Sequence, residues 1–137
     1  MAFRFEFDAE HKILMMRFEG RLTDESLAEV YWAIRKYANA TNPSAGIWDF
    51  SSVTEFAVSS EFIRHIASLE PGTPEPTRRR FIVVRHSLAF GLARMFGIVR
   101  ERRNPLLKVV YTLDEALKEL GVPSPRFEPL GEPESLG

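Results

Sequence analysis

The chain predicts an α/β domain built on a mixed, mostly parallel sheet of about five strands, with an N-terminal β-hairpin and four helices. Two observations point to this class. The chain opens with two strand-like stretches joined by a short link, and from residue 23 onward helix-like and strand-like stretches alternate, each helix stretch bringing its own capping residues. With 137 residues, of which 45% are hydrophobic, the chain has the size and apolar content of one domain with one real core.

Taken in order, Phe3, Phe5 and Phe7 alternate with Arg4, Glu6 and Asp8, the period of a strand with one buried face. Ile13 to Phe18 forms a second strand ending at Gly20, and the short link makes the pair an antiparallel hairpin. Thr23 precedes Asp24 and Glu25, and Leu27, Val30, Tyr31 and Ile34 recur at helical spacing. Thr23 therefore caps a helix to about Asn39, with acids early and Arg35 and Lys36 late, and Asn42-Pro43 stops it. Gly46 to Phe50 (GIWDF) is the next strand. Asp49 then lies near its C-terminal end, where open α/β sheets place ligand sites, and Ser51 and Ser52 supply a turn.

A second helix starts at Ser59 or Ser60, turns Phe62, Ile63, Ile66 and Leu69 inward and ends before Pro71; PGTPEP is a loop. Phe81 to Val84 is a continuous apolar run, as expected of a strand covered on both faces. Ser87 caps a third helix, SLAFGLARMFGIVRE. Leu106 to Tyr111 is the last strand, and Thr112-Leu-Asp-Glu115 is a capping box for a final helix that stops at Gly121. Beyond it, Pro123, Pro125, Pro129 and Pro133 fall where hydrophobic periodicity ceases. The domain is expected to span 1–121 and residues 122–137 to form an extended or disordered tail.

Composition bounds the chemistry. The chain has no cysteine, so disulfides, thiolate nucleophiles and zinc–thiolate sites are excluded. There is no apolar run of membrane-spanning length, and the N-terminus carries acids where a signal peptide has its apolar centre, so a cytoplasmic location is expected. His11, His65 and His86 are isolated, without metal-ligand spacing on one helix. A Gly-rich phosphate loop, a nucleophile elbow and paired catalytic carboxylates are also missing, so neither an enzyme nor a cofactor or metal is expected. Net charge is -1, yet Arg78 to Lys108 holds nine basic residues against one acid. Such asymmetry marks either a surface for an acidic partner or nucleic acid or simply solvated helix ends and loops; the arginines are spread over several elements without interleaved exposed aromatics, which favours the second and disfavours nucleic acid.

Two sites stand out. Ser59 and Ser60 sit at a helix start, where a serine oxygen caps the helix and where a phosphate would meet the positive helix end and repel a partner matched to the neutral surface. In the third helix Ala89, Ala93 and Gly97 form a small-residue stripe beside Leu88, Leu92, Met95 and Val99. The stripe permits close packing on the sheet or, through Phe90, Arg94 and Gly97, a homodimer or partner face.

The alternation of elements, the strand GIWDF, the apolar-Ser59-Ser60 helix start and the FGLARMF and TLDEAL segments together resemble the STAS domain over about residues 3 to 121. The branch is the one similar to the SpoIIAA anti-sigma factor antagonist. The resemblance implies a small α/β domain with helices mainly on one side of the sheet. It also implies a non-enzymatic role in protein contacts switched by phosphorylation at the second helix start, with Ser59 in that position and Ser60 beside it. Switch members carry an acid before the serine and a glycine after the pair, where this chain has Val58 and Glu61. FGLARMF is similar to SpoIIAA-like relatives grouped with lipid-binding CRAL-TRIO-like domains. The alternative function is accordingly a small-molecule or lipid carrier, with Phe56, Phe62, Phe81, Phe90 and Phe96 lining an apolar cavity. In the preferred reading the surface around Ser59, Ser60, Asp49 and Ser51 meets a protein partner.

Overall fold

A computed structural model describes residues 3–68, 79–85, 91 and 107–131. These residues form β1 (Phe3–Asp8), β2 (Ile13–Thr23), α1 (Asp24–Thr41), β3 (Ala45–Ala57), α2 (Ser60–Ser68), β4 (Arg79–Val83), β5 (Leu107–Val110), α3 (Leu113–Leu120) and β6 (Glu128–Pro129). The third helix expected from Ser87, and with it Phe90, Arg94 and Gly97, lies outside the described residues.

The strands make one six-stranded mixed sheet in the order β5-β4-β3-β2-β1-β6. β2, β3, β4 and β5 pair in parallel, whereas β1 is antiparallel to both β2 and β6. β2 explains why the sheet is central: Ile13, Leu14, Met15 and Met16 are all buried, so both faces are covered. On one face Leu14, Met16, Phe18 and Leu22 join Phe5, Trp48, Val53 and Ile82 beneath Val30 and Ala38 of α1. On the other, Ile13, Met15, Ile47, Phe81 and Val83 pack with Ala116 and Leu117 of α3. The step from β5 back across the sheet to β6 accounts for this second layer. A right-handed connection that reverses its direction of travel must pass over the opposite face.

Local chemistry sets the helix ends. Thr23 Oγ1 accepts the Ser26 N–H at 3.1 Å while Ser26 Oγ accepts the Thr23 N–H at 2.8 Å, a reciprocal capping box. Asn42 closes α1 in the left-handed conformation (φ 49°), with its N–H on the Ala38 carbonyl. At α3 the Thr112 Oγ1 accepts the Glu115 N–H at 3.2 Å, half of the expected capping box, and Gly121 (φ 72°) closes the other end. Within β3, an added Cβ at Gly46 would come within 2.6 Å of the Trp48 ring, so glycine is what lets the indole lie along the strand.

Three features differ from the sequence reading. β2 runs on through Gly20 (φ 91°) to Thr23, and β3 runs past Phe50 to Ala57, so Ser51 and Ser52 belong to a strand and not to a turn. The register shows how: Arg17 faces Asp49 but Glu19 faces Ser52, and Gly20 faces Val53 but Arg21 faces Glu55. β3 thus carries one extra residue at each of two bulges. Lastly, the tail segment is extended but not detached as far as residue 131. Val122 is buried, Phe127 and Leu130 pack against the two cores, and β6 adds a strand to the sheet edge, making six strands where about five are expected.

Candidate functional site

Beyond the first bulge β2 and β3 continue as a parallel pair, and at its tip Thr23 faces Ala57. α1 leaves from one strand and α2 from the other, so two helix N-termini emerge side by side. The Ser59 N–H donates to Asp24 Oδ1 at 2.9 Å and the Ser59 hydroxyl to Asp24 Oδ2 at 3.0 Å, while Ser59 Oγ accepts the Phe62 N–H at 3.1 Å. Ser59 is therefore the cap of α2, and its hydroxyl is engaged both as donor and as acceptor. Asp24, in the first turn of α1, holds the start of α2 in place from 35 residues away in sequence. Ser60 is the first, half-buried residue of α2.

The tip is acidic. Asp24 and Glu25 open α1, Glu61 opens α2, and Glu55 pairs with Arg21 at 2.9 Å. The two positive helix ends thus face carboxylates of the chain itself. A phosphate on Ser59 would remove the proton donated to Asp24 and set a second anion against it, so modification there would push the two helix starts apart.

Asp49 is elsewhere. About eight residues of strand, roughly 26 Å, separate it from the tip, because β3 extends to Ala57. Its Oδ1 accepts the Ser51 N–H at 2.9 Å, tying down the first bulge, and its Oδ2 lies 4.0 Å from Arg17 Nη1. Arg17 Nε is buried 3.4 Å from Glu6 Oε1 without a hydrogen bond. Glu6, Arg17 and Asp49 thus form a charge row across three strands, and the expected cluster of Ser59, Ser60, Asp49 and Ser51 divides into two separate places.

A third place was not legible in the sequence. Asp8 is fully buried at the hairpin end of β1. Its Oδ1 accepts the His11 N–H at 3.1 Å; its Oδ2 lies 3.0 Å from His11 Nδ1 and accepts the Arg126 N–H at 3.1 Å. Burial alone would raise the carboxyl pKa, but the hydrogen bonds from His11 and Arg126 together outweigh it and hold the group below its ordinary value. Asp8, Glu10 and His11 place potential metal-ligand atoms within 4.8 Å of one another. Asp8, however, already serves two protein segments, so its geometry is that of a clamp. The only local signal was Asp8 three residues before His11; the other partner is 118 residues away.

The remaining expectations distribute plainly. Phe81 is buried in the α3-side core, Phe56 packs against the α1-side core, and Phe62 lies beside His65 on α2, so these three do not line one cavity. Phe90 and Phe96 are outside the described residues. In the basic window, Arg79 donates to the Glu119 carbonyl at 2.8 Å and Lys108 bonds the Glu119 carboxylate, while Arg80 is buried. None of the described helices is long and apolar enough to cross a membrane. α1 also presents Trp32, 52% exposed, with Arg35 stacked 5.8 Å above its ring. No protein-family model matches the chain, and no curated protein matches it either.

Proposed function

We propose that the chain is a non-enzymatic regulatory module of the STAS-like, SpoIIAA-like kind, and that the tip where α1 and α2 begin is its docking surface for a protein partner. One observation carries this reading: the Ser59 amide and hydroxyl are both bound to Asp24, so a contact or a charge at this exposed serine acts on two helices at once. A hydroxyl used in both directions, with no histidine between it and the carboxylate, suits a structural contact better than a nucleophile.

The test compares wild type with Ser59→Ala and Ser59→Asp as immobilised baits for a partner. Ser59→Ala loses the cap and the hydroxyl bond to Asp24 but keeps the N–H bond and a neutral surface, and is expected to retain the partner with reduced affinity. Ser59→Asp sets two carboxylates against each other and is expected to release it. Identical capture by all three proteins would remove the tip from the reading.

A further inference from the structure

The C-terminal segment 122–131 ends in a strand of only two residues, and that strand covers the outer edge of β1. Its grip is sparse. The ladder covers only Glu6 and Phe7, both β6 residues are exposed, and the backbone ties beyond it are Leu130 N–H to the Phe5 carbonyl at 2.9 Å and Arg126 N–H to Asp8. Edge strands that would otherwise pair with another chain are commonly blunted in this way.

What lies beneath is self-complementary. Because the Phe5 carbonyl points outward to Leu130, the N–H and C=O of Phe3, Phe5 and Phe7 all face the edge. Two copies of β1 set antiparallel about a twofold axis at Phe5 would pair Phe5 with Phe5 through both backbone bonds. Phe3 would then lie opposite Phe7, and Arg4 opposite Glu6, in both halves. Aromatic and opposite-charge pairs are the favourable cross-strand combinations. The Phe3–Phe7 contacts would replace the cover that Leu130 gives this edge.

We propose that residues 128–131 are a releasable strap over a homodimerisation edge: when the strap leaves, Arg126 stays bound to Asp8 and β1 pairs antiparallel with β1 of a second copy. β1 pairs with β2 only as far as Phe18, short of Thr23, so this surface does not include the Asp24–Ser59 tip.

The full-length chain carrying Leu130→Asp, which weakens the strap without touching β1, tests this by sedimentation over a concentration series. A dimer is expected to form at a concentration at least tenfold lower than for wild type. Adding Glu6→Arg, which sets like charges across the twofold, should abolish it, and the swap Arg4→Glu with Glu6→Arg should restore it. A Leu130→Asp protein that is folded but monomeric throughout overturns the proposal. So does a dimer indifferent to the charge variants, as an exchanged strap would give. Should Leu130→Asp not fold, hydrogen exchange of wild type decides: the amides of Phe5 and Phe7 are expected to exchange at least tenfold faster than those of Leu14 and Met16. Equal rates, reporting opening only with the whole sheet, would overturn it.

Discussion

Two carboxylates at opposite ends of β2 perform the same hydrogen-bonding task in different surroundings. Asp24 at the tip receives the N–H and hydroxyl of Ser59; Asp8 at the hairpin end receives the N–H groups of His11 and Arg126 and lies against the His11 ring. Each joins segments distant in sequence. Asp24 can exchange its partners for water, whereas Asp8, with no accessible surface, cannot. The first is a contact that a partner or a modification can replace, and the second is part of what holds the fold together.

The most severe way to break this comparison is Asp8→Ala. It strands the His11 and Arg126 N–H groups and leaves a small void, so it should cost about 2–4 kcal/mol in urea denaturation. A loss no larger than that of a surface mutation would mean the clamp is not structural. Acid offers a milder form of the same break. The folded-state pKa of Asp8 is lowered, so its contribution is complete above the ordinary carboxylate range and is lost as pH falls through the folded value. Melting temperature should therefore drop on acidification, and the drop should be shallower in Asp8→Asn.

Between the two carboxylates lies the tight contact of Gly46 with Trp48. Gly46→Ala forces the indole off its place and should cost about 1–3 kcal/mol in thermal denaturation, accompanied by a change in tryptophan fluorescence. At the exposed end the effects shrink. Ser59→Ala should cost about 1 kcal/mol, the ordinary value of a helix cap. Combined with Asp24→Ala, it should cost clearly less than the sum of the two single changes, which a double-mutant cycle would read as coupling. Trp32→Ala, which removes an exposed ring, should leave stability within about 0.5 kcal/mol.

The contrast also explains what was legible in the sequence. Thr23, Asn42, Thr112 and Gly121 act through neighbours three or four residues away, so the bounds of α1 and α3 could be read directly. Ser59 as a cap was legible for the same reason; its bond to Asp24 was not. The strand ends were lost for a different reason. The apolar residues of β3 that reach the α1-side core are Trp48, Phe50, Val53 and Phe56, and the bulges stretch their spacing from two to three. A pattern with that spacing no longer resembles a strand. In β2 the period of two persists through Leu22, but Gly20 occupies one position of the series and reads as a stop. The segment 122–131 has no regular period at all, because Val122, Phe127 and Leu130 are distributed over two faces of the sheet between prolines.

The twin bulges also set which lengths of chain this arm can accept. Each adds one residue to β3 opposite β2, so the first inverts which side chains face the α1-side core and the second inverts them back. Deleting the extra residue at either bulge would straighten the strand there and leave Phe56 opposite Leu22 and Ser59 beside Asp24, so this stretch can lose one residue, or two, without a change of face. Related chains that shorten this loop-like stretch should therefore lose residues at the bulges, and not between Ala45 and Asp49, where the two strands match one for one.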